Sequence, residues 1–277
     1  MRSRRILALV ATLFAAGLLF ATSAAAFAPV NFTQRWANLS GQAYDQVAGS
    51  VSCPAGMKAV SAGGGNANLA SVGLTPNGSG AFVVGVLNNP NYLYLPLVAD
   101  CVPAAQLAGS TSRSVTFQAH TGNVGDYVLF SQTVTCPTGT YAFGGGGYFV
   151  DGSGSPTPAG FNMQADAPTA DQTGWSFATF ARSGVDTMVV TTQCAPLPAP
   201  TLVTTPYAVN GLGGGYGNCP SGHVPLSGGA SLDPPVLNSS LVYTEVVRNT
   251  APNLSGWYAS ASTNYPGVVL RVVSQCL

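Results

Sequence analysis

Two histidines (His120 and His223), eight aspartates and one glutamate (Glu245) are the whole stock of side chains for proton transfer near neutral pH. His120 or His223 can be drawn with Asp126 or Asp233 as the base and orienting acid of a triad. No nucleophile-elbow motif stands beside them, and serines are too common here to mark a nucleophile. A two-carboxylate glycosidase needs a matched acidic pair, and none is recognisable. No cysteine pair has zinc-ligand spacing, and the histidines occupy unrelated places. Asp151-Gly152-Ser153-Gly154 offers oxygen atoms but no cluster of carboxylates, so it reads as a turn rather than a calcium loop. Gly211-Leu212-Gly213-Gly214-Gly215 lacks the Gly-Lys-Ser/Thr of a phosphate loop and is followed by no helical pattern. The expectation is a protein with no catalytic residues, metal or cofactor; a secreted hydrolase or hydrolase inhibitor stands as an alternative.

Aromatic rings are better candidates for ligand contact. Tyr92, Tyr94, Tyr148, Tyr258 and Tyr265 lie among Asn, Thr and Ser side chains, a mixture suited to stacking on sugar rings and bonding their hydroxyls. Three other rings are assigned to the core by their spacing, and that spacing comes from a repeat.

Cys-Pro-x-Gly is written at Cys53, Cys136 and Cys219, with 83 residues between successive copies. A fixed period of this kind marks repeated structural units. Ten residues after each opening cysteine stands a glycine (Gly63, Gly146, Gly229), preceded by Ala62, Gly145 or Gly228. Cys101, Cys194 and Cys276 close the units, which uses all six cysteines. Nineteen residues before each closing cysteine stands a large ring: Phe82, Trp175 or Trp257. These three are expected to fill the cores, as tryptophans do beside the disulfides of small sandwiches. Equivalent units should close equivalently, so of the 15 pairings of six cysteines the repeat selects Cys53–Cys101, Cys136–Cys194 and Cys219–Cys276.

The elements that must carry these residues are strands. In the second unit Tyr127–Thr135, Tyr141–Val150, Phe161–Ala165, Trp175–Phe180 and Met188–Gln193 read as strands between turns, and the third unit repeats the set. No window after the first stretch has helical periodicity. Glycine inside these strands marks bulges or close backbone crossings. Linker-like segments at Pro103–Ser112 and Ala195–Pro206 favour three tandem, disulfide-closed antiparallel β modules (sandwich- or barrel-like) over the alternative, a single pseudo-threefold β-prism-like body. The units run 27–103, 112–195 and 201–277.

Residues 1–26 read as a signal peptide: Arg2, Arg4 and Arg5, an apolar run, then Ala24-Ala25-Ala26. The rest carries six basic and nine acidic side chains, about −3, which argues against a nucleic-acid partner. Charged residues are only 6% of the chain while 46% are hydrophobic, so a core is affordable and the surface is polar but uncharged. The Asn-x-Ser/Thr sequons at Asn31, Asn38, Asn77, Asn238 and Asn253 read as coincidences of composition. A secreted, cell-surface or periplasmic protein without stable membrane insertion is expected.

Cys-Pro-x-Gly, a glycine cluster, a Gly-Trp strand and a closing cysteine together resemble repeats of bacterial exported proteins of unknown function. Cys136-Pro137-Thr138-Gly139-Thr140-Tyr141-Ala142-Phe143-Gly144 is also similar to a segment of the vitelline membrane outer layer proteins. Those proteins are three-repeat β-prisms with a carbohydrate-binding role, and the resemblance implies for this chain only pseudo-threefold packing. Neither supplies catalytic residues. The expected function is binding or adhesion on glycans or cell surfaces, with tandem copies multiplying weak contacts; a structural component of an envelope, matrix or appendage is the alternative.

Overall fold

The computed structural model describes residues 32–42, 45–65, 68–87, 94–118, 126–150, 156–157, 160–182, 187–248 and 255–277. Residues 1–26, expected to be a signal peptide, Tyr92, His120 and Asp151-Gly152-Ser153-Gly154, expected to be a turn, lie outside them.

Each Cys-Pro-x-Gly repeat carries six main strands, and the second adds a short seventh. The first has β1 (Thr33–Ser40), β2 (Gln46–Ser52), β3 (Met57–Gly64), β4 (Asn68–Leu74), β5 (Gly80–Val86) and β6 (Tyr94–Pro103). The second has β7 (Thr111–Gln118), β8 (Tyr127–Thr135), β9 (Tyr141–Val150), the short β10 (Pro156–Thr157), β11 (Gly160–Pro168), β12 (Gly174–Arg182) and β13 (Thr187–Ala195). The third has β14 (Thr201–Ala208), β15 (Gly211–Asn218), β16 (Pro225–Asp233), β17 (Ser240–Arg248), β18 (Ser255–Thr263) and β19 (Val269–Cys276). The fold is all-β; the one helical element among the described residues is a 3-10 turn at Ala104–Leu107.

The Cys-Pro-x-Gly motif builds a reverse turn. Met57, Thr140 and His223 donate their backbone N–H groups to the carbonyls of Pro54, Pro137 and Pro220, at 3.0–3.1 Å. Gly56, Gly139 and Gly222, third in each turn, have φ of 78°, 81° and 83°, which is why glycine is written there. Each opening cysteine thereby starts a new strand and is bonded to the strand that closes the repeat. The bridges are Cys53–Cys101, Cys136–Cys194 and Cys219–Cys276.

The sheets do not respect the repeats. One runs β1-β6-β3-β17-β18-β15, the second β2-β5-β4-β9-β13-β7 with β10 beside β9, and the third β14-β19-β16-β11-β12-β8. Each repeat therefore splits into two three-stranded halves placed in different sheets. Repeat 1 joins repeat 3 through Gly64 and Thr244, repeat 2 joins repeat 1 through Gly146 and Gly73, and repeat 3 joins repeat 2 through Ala230 and Asp166. Separate modules divided by linkers are not what forms: neither half can bury its apolar face without a neighbour, and Asn31–Leu277 is one unit. The supposed linkers themselves contain the 3-10 turn, the start of β7 and most of β14.

Glycines permit the junctions. A Cβ on Gly146 would lie 2.5 Å from Gly73 Cα, and one on Gly229 would lie 2.0 Å from the Asp166 carbonyl oxygen. Buried polar side chains also lie at two of these seams. The residue before each closing cysteine is buried (Asp100, Gln193, Gln275). Gln275 donates to the Ala142 carbonyl of the preceding repeat at 2.8 Å and to Gln172 Oε1 at 3.2 Å. Gln193 lies against Gly78 of repeat 1, whose φ of 67° is, like the 59° of Gln172 in repeat 2, positive. A buried amide satisfied this way favours one docking of the repeats over others.

Candidate functional site

Strand pairing re-sorts the aromatics into core and surface. Gly80, Gly174 and Gly256 pair with the residues just before the opening cysteines, Ser52, Thr135 and Asn218. Ala81, Trp175 and Trp257 are therefore the structural equivalents, and all three are buried. Phe82 is one residue further along. In a strand that step reverses the face, so Phe82 leaves the core and becomes equivalent to Ser176 and Tyr258. Phe82 therefore does not fill the first core as its spacing from Cys101 suggests, because between its glycine and its closing cysteine repeat 1 has one residue more than the others.

Trp175 and Trp257 lie on glycine. A Cβ at Gly145 would stand 2.4 Å from the Trp175 ring, and one at Gly228 would stand 2.8 Å from the Trp257 ring. Repeat 1 has Ala62 and Ala81 at the matching positions, a Cβ where the others have none and no indole. Trp175 Nε1 donates to Asp166 Oδ1 at 2.6 Å. Burial pushes the Asp166 carboxyl well above the usual carboxylate range, against the opposing pull of that hydrogen bond.

The outward rings form two surfaces. On the second sheet, the Phe82 and Tyr148 rings meet edge-to-face at 5.0 Å and 72° from opposite sides of β4. Gly73, the ladder partner of Phe82 on that intervening strand, has no side chain to separate them. Ala48, Ser50, Thr75, Pro76 and Val84 complete the walls of an open groove of about 500 Å³, whose side chains are uncharged. Partial burial raises the Tyr148 phenol pKa, so the ring sits there as a neutral donor.

On the first sheet, Trp36 is 53% exposed and Tyr94 42% exposed. The β1–β6 register pairs Trp36 with Val98, Asn38 with Pro96 and Ser40 with Tyr94. Directly opposed residues share a face, so Trp36, the exposed Asn38 and Tyr94 stand in one row. From Trp36 to Ser40 the row runs about 13 Å at the usual rise per residue. Trp36 was not singled out from the sequence. It lies before the first opening cysteine, outside every repeated anchor, and its signal was a tryptophan in a polar strand next to Asn38.

The remaining candidates are dispersed. Tyr258 packs on Tyr216 at 4.8 Å, beside β15, whose Gly215 lies against the Tyr207 ring. Tyr265 is 41% exposed and accepts a long hydrogen bond from Asn238. Asp233 is engaged by Arg271 at 2.6 Å, and His223 Nδ1 lies 3.4 Å from the Ser221 carbonyl. Among the described residues no group of three His, Cys, Asp or Glu side chains is placed to hold a metal ion. No helix of the described residues is long and apolar enough to cross a membrane.

Comparison with protein families and with curated proteins gives no match to this chain.

Proposed function

We propose that this chain is an exported, non-enzymatic protein that binds neutral saccharides of glycans and cell surfaces through outward-facing aromatic rings. The observation that carries the reading is the row Trp36–Asn38–Tyr94 on one face of β1 and β6. Two accessible rings cover the apolar faces of sugars, and the amide between them offers both a donor and an acceptor. The Phe82–Tyr148 groove adds a second uncharged aromatic surface on another sheet, and two weak contacts on one body raise avidity. Three disulfides fit an extracellular setting. The fold belongs to the same proposal: cyclic exchange of half-repeats among three sheets supports a closed, pseudo-threefold β-prism-like body.

A glycan array probed with the purified, oxidised protein tests the binding. Micromolar binding of neutral oligosaccharides is expected, weakened about tenfold or more by Trp36→Ala or Tyr94→Ala. Absence of any binding at high micromolar concentration overturns the reading.

One observation favours a structural role in an envelope, matrix or appendage instead. Edge strand β15 is rich in glycine and carries Leu212, which is 72% exposed. An uncharged edge of this kind can pair with another chain. The Tyr207 hydroxyl, bonded to both the backbone N–H and the carbonyl of Tyr216, covers only one end of it. Filaments of the purified protein in electron micrographs would favour this role.

A further inference from the structure

One slot in the fold recurs three times with different chemistry. In repeat 2 it holds Asp166 and Trp175: the β11–β12 register sets Asp166 opposite Phe177, two residues beyond the tryptophan and on its face. In repeat 3 the β17–β18 register sets Thr244 opposite Ala259, again two beyond Trp257. In repeat 1 the β4–β5 register sets Val72 opposite Val83, two beyond Ala81. All three ladders carry a bulge at the equivalent place, between Met163 and Ala165, Leu241 and Tyr243, and Leu69 and Ser71. The backbone frame is thus the same, and the two indoles rest on equivalent glycines.

The side chains in the slot differ in what they need. Val72 and Ala81 need no partner. Asp166 and Trp175 satisfy each other directly. Thr244 Oγ1 and Trp257 Nε1 are both buried, on residues only 1% and 2% exposed, and neither has a hydrogen-bond partner among the described residues. A threonine hydroxyl stands one bond closer to its backbone than a carboxyl oxygen, so on the same frame it falls short of the place that the Asp166 oxygen takes in repeat 2. Leaving an N–H and a hydroxyl unpaired in the interior is costly, and a buried donor and a buried hydroxyl on one face of a ladder can both be satisfied by one internal water molecule.

We propose that repeat 3 contains a specific internal water site in which one water accepts from Trp257 Nε1 and bonds to Thr244 Oγ1. The water does there what the Asp166 carboxyl does in repeat 2.

The test uses the full oxidised protein labelled with ¹⁵N at tryptophan. A long-lived water cross-peak is expected at the Trp257 indole N–H and none at Trp175. Thr244→Val keeps the shape but removes the hydroxyl that holds the water, so the melting point should fall by roughly 2–4 °C or more. Thr244→Asp should abolish the Trp257 water cross-peak by direct bonding. Absence of the cross-peak at Trp257 in the unsubstituted protein overturns the proposal. So does a Thr244→Val protein that melts at the same or a higher temperature, the result expected if both groups were simply unpaired.

Discussion

Gly73 of repeat 1 and Gly146 of repeat 2 are ladder partners, and they approach so closely that a Cβ on either would lie within 2.6 Å of the other's Cα. Gly146 also has φ of 149°, outside the range other residues readily adopt. Substitution to alanine therefore meets backbone on one side and torsional strain on the other. Gly146→Ala is expected to cost about 3 kcal/mol or more, read from denaturant midpoints. Gly213→Ala on β15, where a new Cβ meets nothing nearer than 3.6 Å, should stay within about 0.5 kcal/mol. Equal effects at the two sites would contradict the junction.

Shared sheets make a second prediction about cooperativity. Each disulfide closes a loop of 48 to 58 residues, a constraint of about 4 kcal/mol in the loop-entropy account. In a string of modules, loss of one bridge would melt one third of the protein and leave the rest. Here each repeat supplies half of two sheets, so Cys136→Ala with Cys194→Ala should lower one transition common to the whole unit. Scanning calorimetry decides it: a separate low-temperature transition would show that the repeats unfold alone.

The bridges and the glycine anchors were legible in the sequence because they recur at fixed separations. Strand exchange was not. Sequence alternation shows which residues face a core, but the core belongs to another repeat, and nothing local in β4 names β9 as its neighbour. Phe82 shows how fine the limit is. Counted from Cys101 it matches the tryptophans; paired against Ser50 of β2 it falls on the opposite face. One extra residue before the closing cysteine was enough to turn an outward ring into an apparent core ring. Trp36 was missed for the converse reason, since it belongs to no repeated pattern.

The chain has three tryptophans, and their placement gives a third expectation. Trp36 stands on the surface while Trp175 and Trp257 are buried. In the native protein iodide should quench the fluorescence of one tryptophan of the three, and Trp36→Ala should remove the quenchable component with a stability change within about 0.5 kcal/mol. Trp175→Ala, by contrast, should cost about 3–5 kcal/mol. If saccharide binding uses the Trp36–Tyr94 row, a bound oligosaccharide should protect that same component from iodide; quenching unchanged by a saturating ligand would move the binding surface elsewhere.

Asp166 sets the sign of the last prediction. Burial raises its carboxyl pKa well above the ordinary value, and the hydrogen bond from Trp175 opposes that shift without cancelling it. The folded state then holds its proton over a range of pH in which the unfolded chain has released it. Below about pH 4, where both states are protonated, the group's full contribution to stability is present. As pH rises above that, the unfolded state binds fewer protons, so stability falls, by up to about 1.4 kcal/mol per pH unit, until the folded pKa is passed. Asp166→Asn keeps a side-chain carbonyl oxygen as acceptor for Trp175 and cannot ionise. Its melting point should change less between pH 5 and pH 8 than that of the unsubstituted protein, with the advantage of the variant growing toward high pH. Parallel melting curves for the two proteins across that range would mean that Asp166 ionises in the fold as readily as in the unfolded chain.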